Sequence, residues 1–253
     1  GHNAGTAINT GVSNVLIGRN AGLSLTDNIN NIAIGHGALD VANTGESSNV
    51  AIGVNTLGSE TSGAIGCVAI GESALMDQNR SSSANTAVGY QALTNLGSGV
   101  TYGGKNNTAV GYQAGGVGVF GGGADGGSNV YGSDNTLLGS AAGKAITTGQ
   151  DNVIIGSLAG QVATTGYSNV LIGKSVGTSM VTNHNNIAIG HGALDAATDN
   201  EHYNVAIGNG ALGAEDSSAD YCVAIGHHAL LLQNANVKNT AIGGLAGAEL
   251  VGG

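Results

Sequence analysis

The chain has 253 residues; 47 are Gly, one is Phe, and Pro and Trp are absent, so it lacks the large side chains that fill a wide globular core. The net charge of −10 and the six scattered basic residues argue against binding a nucleic-acid backbone, which needs a clustered basic stripe. No apolar run approaches the roughly 18 residues that span a bilayer as a helix. High Gly with few charges also fits disorder, but regular Val/Ile spacing argues against it.

That spacing comes from a phrase close to Asn-Val-Ala-Ile-Gly, found thirteen times. It begins at Asn14, Asn31, Asn49, Cys67, Asn85, Asn107, Asn135, Asn152, Asn169, Asn186, Asn204, Cys222 and Asn239. The intervals are 17, 18, 18, 18, 22, 28, 17, 17, 17, 18, 18 and 17 residues. A period this short predicts a parallel β-solenoid of about 13–14 coils, a single repeat unit over 1–253. Gly1-His2-Asn3-Ala4-Gly5 aligns with Gly18-Arg19-Asn20-Ala21-Gly22. The chain is therefore expected to be a segment of a longer fibrous protein, begun and ended within a repeat.

The second and fourth residues of the phrase are β-branched or Leu (Val15 and Ile17, Thr86 and Val88), which predicts a short strand with these two on one face. We expect that face to line the inside of the coil. The fifth residue is always Gly, which implies positive φ or a neighbour too close for a Cβ. The third residue trades volume with the residue six places later. Leu16 goes with Gly22 and Leu171 with Gly177, whereas Ala33 goes with Leu39 and Ala51 with Leu57; Ala109 with Gly115 and Ala241 with Gly247 break the rule. Such a trade at constant volume places both side chains in one pocket, flanked by an almost invariant Ala column (Ala21, Ala38, Ala74). With the other face assigned to the coil interior, this cluster is expected to need cover from another subunit. The residue after the Gly (Arg19, Glu72, Lys174, His227) varies freely and is expected to face solvent.

Eleven of the thirteen copies begin with Asn. Asn14, Asn31, Asn49, Asn85, Asn107, Asn135, Asn152, Asn169, Asn186, Asn204 and Asn239 are expected to form a structural ladder that satisfies stacked amides. Cys67 and Cys222 fill the same slot eight repeats apart. Coils stack about 4.8 Å apart, so the two lie beyond the roughly 7 Å limit for a disulfide within one chain. Asn30 to Asp40 and Asn185 to Asp195 are identical, and the phrases from Asn14 to Cys67 recur at an offset of 155 residues. The block has been duplicated.

Two Gly-rich insertions, 94–106 and 115–134, stretch the period in the middle of the chain. They carry Tyr102, Phe120 and Tyr131, the candidate surface-binding residues, because loops on a rigid scaffold are where binding tends to sit.

Motifs that carry chemistry are few. Gly116 to Gly121 matches G-x-G-x-x-G, but no helical period follows, so a dinucleotide site is rejected. The GGADGG stretch from Gly122 faintly suggests a calcium repeat but occurs once. The His residues lack metal-ligand spacing, and no nucleophile elbow is present. Glu201, Glu215, Asp216 and Asp220 are the candidates if carboxylates act on a glycosidic bond. No catalytic residue, cofactor or metal is expected, and the chain is read as not being an enzyme.

The phrases NTAVGYQAL (Asn85 to Leu93), NTAVGYQAG (Asn107 to Gly115) and NVAIGNGAL (Asn204 to Leu212) resemble the head repeat of trimeric autotransporter adhesins. They also resemble the repeat region of phage tail-fibre proteins. The resemblance covers essentially the whole chain, although the adhesin repeats are shorter. It implies a left-handed parallel β-roll packed as a homotrimer, extracellular on a virion fibre or cell surface, and serving attachment through a surface receptor or glycan. No nucleic acid or membrane insertion is implied for this segment. The competing readings are a self-assembling extracellular filament subunit and a polysaccharide depolymerase on a β-solenoid.

Overall fold

The computed structural model describes residues 1–41, 45–59, 63–77, 82–96, 104–116, 132–197, 201–214, 220–233 and 238–250. The chain divides into two compact units, residues 1–134 and 135–253, the boundary falling where the second insertion ends.

In the first unit the strands are β1 (Val15–Ile17), β2 (Ile32–Ile34), β3 (Val50–Ile52), β4 (Val68–Ile70), β5 (Thr86–Val88) and β6 (Thr108–Val110). Each pairs in parallel with the next, one phrase opposite another, as in Val15 opposite Ile32. The second unit holds β7 (Thr136–Leu138), β8 (Val153–Ile155), β9 (Val170–Ile172), β10 (Ile187–Ile189), β11 (Val205–Ile207), β12 (Val223–Ile225) and β13 (Thr240–Ile242), paired in the same way. Each unit is a parallel β-solenoid, all-β among the described residues.

Why each strand stops after three residues is clear from the Gly that follows. From Gly18 to Gly243 its φ lies between +125° and +142°, a conformation nearly closed to other residues. A Cβ on Gly71 would stand 2.6 Å from the carbonyl oxygen of Gly89, and one on Gly139 the same distance from that of Gly156. Coil stacking and turn geometry both demand Gly.

The volume trade is real, but it lies inside the coil. Ala33, Ala51, Ala69, Ala188 and Ala206 are fully buried, as are Leu39, Leu57, Leu75, Leu194 and Leu212 six places on. In the other coil type a Cβ on Gly22 would come within 2.7 Å of Leu16 Cδ2, and one on Gly143 within 2.8 Å of Leu137 Cδ2. The second and fourth residues of the phrase point outward instead. This reverses the expectation that they line the interior. The physical reason is width: the third residue, the buried Ala column and the large-or-small partner already fill each level. A β-branched pair would not fit beside them.

Coil length follows the same trade. Leu16, Leu137, Ile154 and Leu171 belong to 17-residue coils, while Ala33, Ala51, Ala69, Ala188 and Ala206 belong to 18-residue coils. Ala224 with Leu230, in a 17-residue coil, is the exception. In three of the shorter coils another apolar side chain, Leu25, Ile146 or Met180, completes the core three residues after the Gly. Leu39 and Leu57 hold φ of 54° and 48°, close to the 60° of Gly22, so the backbone is shared between coil types. Gly22 is therefore dictated by space more than by φ.

Candidate functional site

From Asn31 to Asn204 the Asn side chains that precede the strands are buried, Asn14 and Asn239 being half-buried, and the series is hydrogen-bonded in two directions. Along the stack, Asn14 Oδ1 accepts from the backbone N–H of Asn31 (2.9 Å), Asn31 Oδ1 from that of Asn49 (3.0 Å) and Asn186 Oδ1 from that of Asn204 (2.9 Å). Within the coil, Nδ2 of Asn31 donates to the carbonyl of Glu46 (3.1 Å) and Nδ2 of Asn152 to that of Gly166 (2.8 Å). The acceptor lies 15 residues on in 18-residue coils and 14 in 17-residue coils, so the extra residue falls before it. Some neighbours also bond side chain to side chain, as Asn152 Nδ2 to Asn135 Oδ1 (3.0 Å). Asn239 closes the series by donating to Gln233 Oε1 (3.0 Å). Cys67 keeps the main-chain half of the pattern, its N–H donating to Asn49 Oδ1 (2.9 Å), and both Cys residues are buried.

Tyr102, Phe120 and Tyr131 lie outside the described residues, as do Glu215 and Asp216. The two remaining acidic candidates are held in structural roles. Glu201 is fully buried, accepting from Asn183 Nδ2 (3.1 Å), which removes it from contact with any external substrate. Its counterpart Glu46 is equally buried and accepts from Asn28 Nδ2 and from the backbone N–H of Gly63. Asp220 Oδ1 accepts from the backbone N–H of His202 (2.7 Å).

Two surfaces remain. One is the outward face of the strands, a double column of Val, Ile, Leu and Thr in each unit. Val15, Ile17, Ile70, Leu138 and Ile187 are exposed, and most of the others are half-buried.

The other surface lies just before the phrase, in the second unit. Two residues before the phrase stand Tyr167, His184 and His202, with ring centroids 4.5 Å and 3.5 Å apart. One residue before it stand Tyr203 and Tyr221, stacked at 4.9 Å, and Lys238 with Nζ 4.8 Å from the Tyr221 ring. His184 meets Tyr203 edge to face at 5.8 Å, joining the columns into one patch. The backbone imposes this stacking, because Tyr167, His184 and His202 are bridged in parallel from coil to coil. His202 Nδ1 accepts from the backbone N–H of His184 (3.3 Å), which leaves the ring proton on Nε2. Burial, first, and the neighbouring His184, second, push the His202 pKa down, outweighing Asp220.

Sequence reasoning missed this patch because it read along the phrase and not down the columns before it. The signal was available: three of the seven Tyr residues fall in those two columns, in coils 155 residues from Val12, Ser48 and Gly66. A smaller stack, Tyr90 on Tyr112 at 5.6 Å with Gln113 Nε2 donating to Gln91 Oε1, marks the first unit.

Among the described residues no three His, Cys, Asp or Glu side chains are placed to hold a metal, and no helix is long and apolar enough to cross a membrane. No protein-family model matches the chain, and neither a curated protein nor a solved structure shows significant similarity to it.

Proposed function

We propose that the chain is a structural fibre or adhesin segment that mediates attachment to a host or other surface, outside the cell. In this reading three parallel copies pack around a common axis through their outward Val/Ile faces. The observation that carries it is the uncovered double column of β-branched residues, present in both units. Contiguous apolar surface of this kind marks an interaction site more often than a solvated wall. Covering a half-exposed Val or Ile contributes roughly 1 kcal/mol, about half the value for full burial. Each copy offers such a pair at nearly every level, enough to offset the entropy of association. The trimeric arrangement is what the adhesin and tail-fibre resemblance implies, now through the opposite strand face from the one first expected.

The test is the mass in solution. Sedimentation equilibrium is expected to give three times the 24.4 kDa chain mass. Replacing Ile52→Lys and Ile207→Lys together should yield monomers that keep their strand signal in circular dichroism. A monomeric wild-type chain at micromolar concentration would sink the proposal.

A further inference from the structure

We infer that the stacked Tyr and His columns of the second unit are a binding site for a neutral, extended polysaccharide lying along the coil direction. The inference deepens the attachment reading, on which its biological purpose rests, but the site's geometry does not depend on three copies. Tyr203 and Tyr221 are 47% and 51% exposed although each stacks on the other, so what they offer outward is the ring edge and the hydroxyl. The same holds down the second column, where His184 is sandwiched between Tyr167 and His202. The result is a set of phenol O–H and imidazole N–H groups repeated at the coil spacing of about 4.8 Å. Between them lie apolar ring edges. A ligand complementary to that surface alternates hydroxyls with C–H patches at a similar interval, as linked pyranose rings do in an extended chain.

The alternatives fit less well. An extended peptide adding to this surface needs a free strand edge, but the backbone of His184 is already bridged to the coils on both sides. A polyanion is disfavoured by the net charge of −10, and the single Lys238 is engaged over Tyr221. Asp220 is turned onto the His202 backbone and is poorly placed to recruit cations. A neutral polyol is what remains. The first unit has the same bridged backbone at Ile29, Ser47 and Ile65 but none of these aromatic side chains, so the chain contains its own control.

The experiment uses the full chain in isothermal titration against cellohexaose, mannohexaose and xylohexaose, with heparin as the polyanion. Binding to at least one neutral hexasaccharide is expected. Tyr203→Ala with Tyr221→Ala should weaken it tenfold or more, Tyr203→Phe with Tyr221→Phe less, and Ser47→Ala not at all. Circular dichroism and sedimentation on the same samples establish that each variant folds and report its mass. No binding to any neutral hexasaccharide at millimolar concentration, or tighter binding to heparin, overturns the inference. So does a change of mass in the double Ala variant, which would make the columns an interface between copies. A monomeric wild type that still binds sugar would remove the trimer and leave this site standing.

Discussion

The coils that begin at Asn14 and those that begin at Asn169 are copies of one block, and their differences are not spread evenly. Leu16, Ala33, Leu39, Ala51, Leu57, Ala69 and Leu75 recur as Leu171, Ala188, Leu194, Ala206, Leu212, Ala224 and Leu230. The buried pair Asn28 and Glu46 recurs as Asn183 and Glu201. In contrast Val12, Ile29, Ser47 and Ile65 stand opposite Tyr167, His184, His202 and Asp220, while Ser48 and Gly66 stand opposite Tyr203 and Tyr221. The backbone beneath is bridged from coil to coil in both blocks, Ile29 with Ser47 as His184 with His202. What closes the coil is conservative between the blocks, the buried changes being Ala21 to Val176, Leu25 to Met180 and Thr56 to Ala211, whereas the columns before the phrase change in kind. In the proposed reading, structure and recognition are thereby separated by position within the repeat.

If that separation is sound, changes in the closing positions must cost the same in both blocks. The largest effect is expected at the fifth-position Gly. Gly71→Ala and Gly226→Ala each force a Cβ to within about 2.6 Å of the next coil's backbone at φ of 125° and 138°. Strain and overpacking together should cost about 3–5 kcal/mol at either site. Denaturant unfolding of the two variants measures it. A tolerated substitution in one block alone would show that its coils stack differently.

Next come the core Leu residues. Leu39→Ala and Leu194→Ala each empty a fully buried site beside a small Ala, at an expected cost of about 2–5 kcal/mol. Matching losses sharpen the comparison; a gap of more than about 2 kcal/mol, beyond the usual spread for one chemistry, breaks it. The Asn ladder should follow at roughly 1–3 kcal/mol for Asn31→Ala or Asn186→Ala, because each leaves a buried N–H and a buried carbonyl without their side-chain partner. Cys occupies this slot at Cys67 and Cys222, so Asn31→Cys is expected to be milder than Asn31→Ala in the same unfolding measurement.

How much of this was legible in sequence follows from what a period can encode. The strand at Val15–Ile17 and its equivalents could be read because the repeat superimposes thirteen copies of each position. Likewise the shared pocket of Leu16 and Gly22 could be read, since volume is conserved in the pair. Which side of the strand faced inward could not. Alternation says only that Val15 and Leu16 point to opposite faces, and the β-branched pair looked like the better core. The answer depends on coil width, set by how far the chain runs before turning. The Tyr and His columns were hidden for another reason: their meaning lies in stacking across coils 17 and 18 residues apart, while Tyr203 and Tyr221 alone look like loop residues.

The smallest effect expected separates the blocks by pH. The pKa of His202 is pushed below the ordinary value of 6.5 by burial and by His184, so the folded chain releases this proton more readily than the unfolded chain. Above that ordinary value the ring is neutral in both states and contributes nothing to the balance. Below it the unfolded state takes up the proton first, and stability falls until the pH has passed the lowered pKa of the folded ring. Residue 47, its counterpart in the first block, is Ser and does not titrate. Asp40 and Asp195 behave oppositely, because burial raises their pKa and their contribution fades as pH rises through it. Both carboxyls are present in wild type and in His202→Gln, so the difference between these two chains cancels them. Wild type should lose on the order of 1 °C more in Tm than His202→Gln between about pH 7.5 and pH 5, a small loss because the ring is only half-buried. Equal losses would mean that the stacked rings share solvent freely, and the patch would then lack the fixed neutral His donor that its proposed ligand requires.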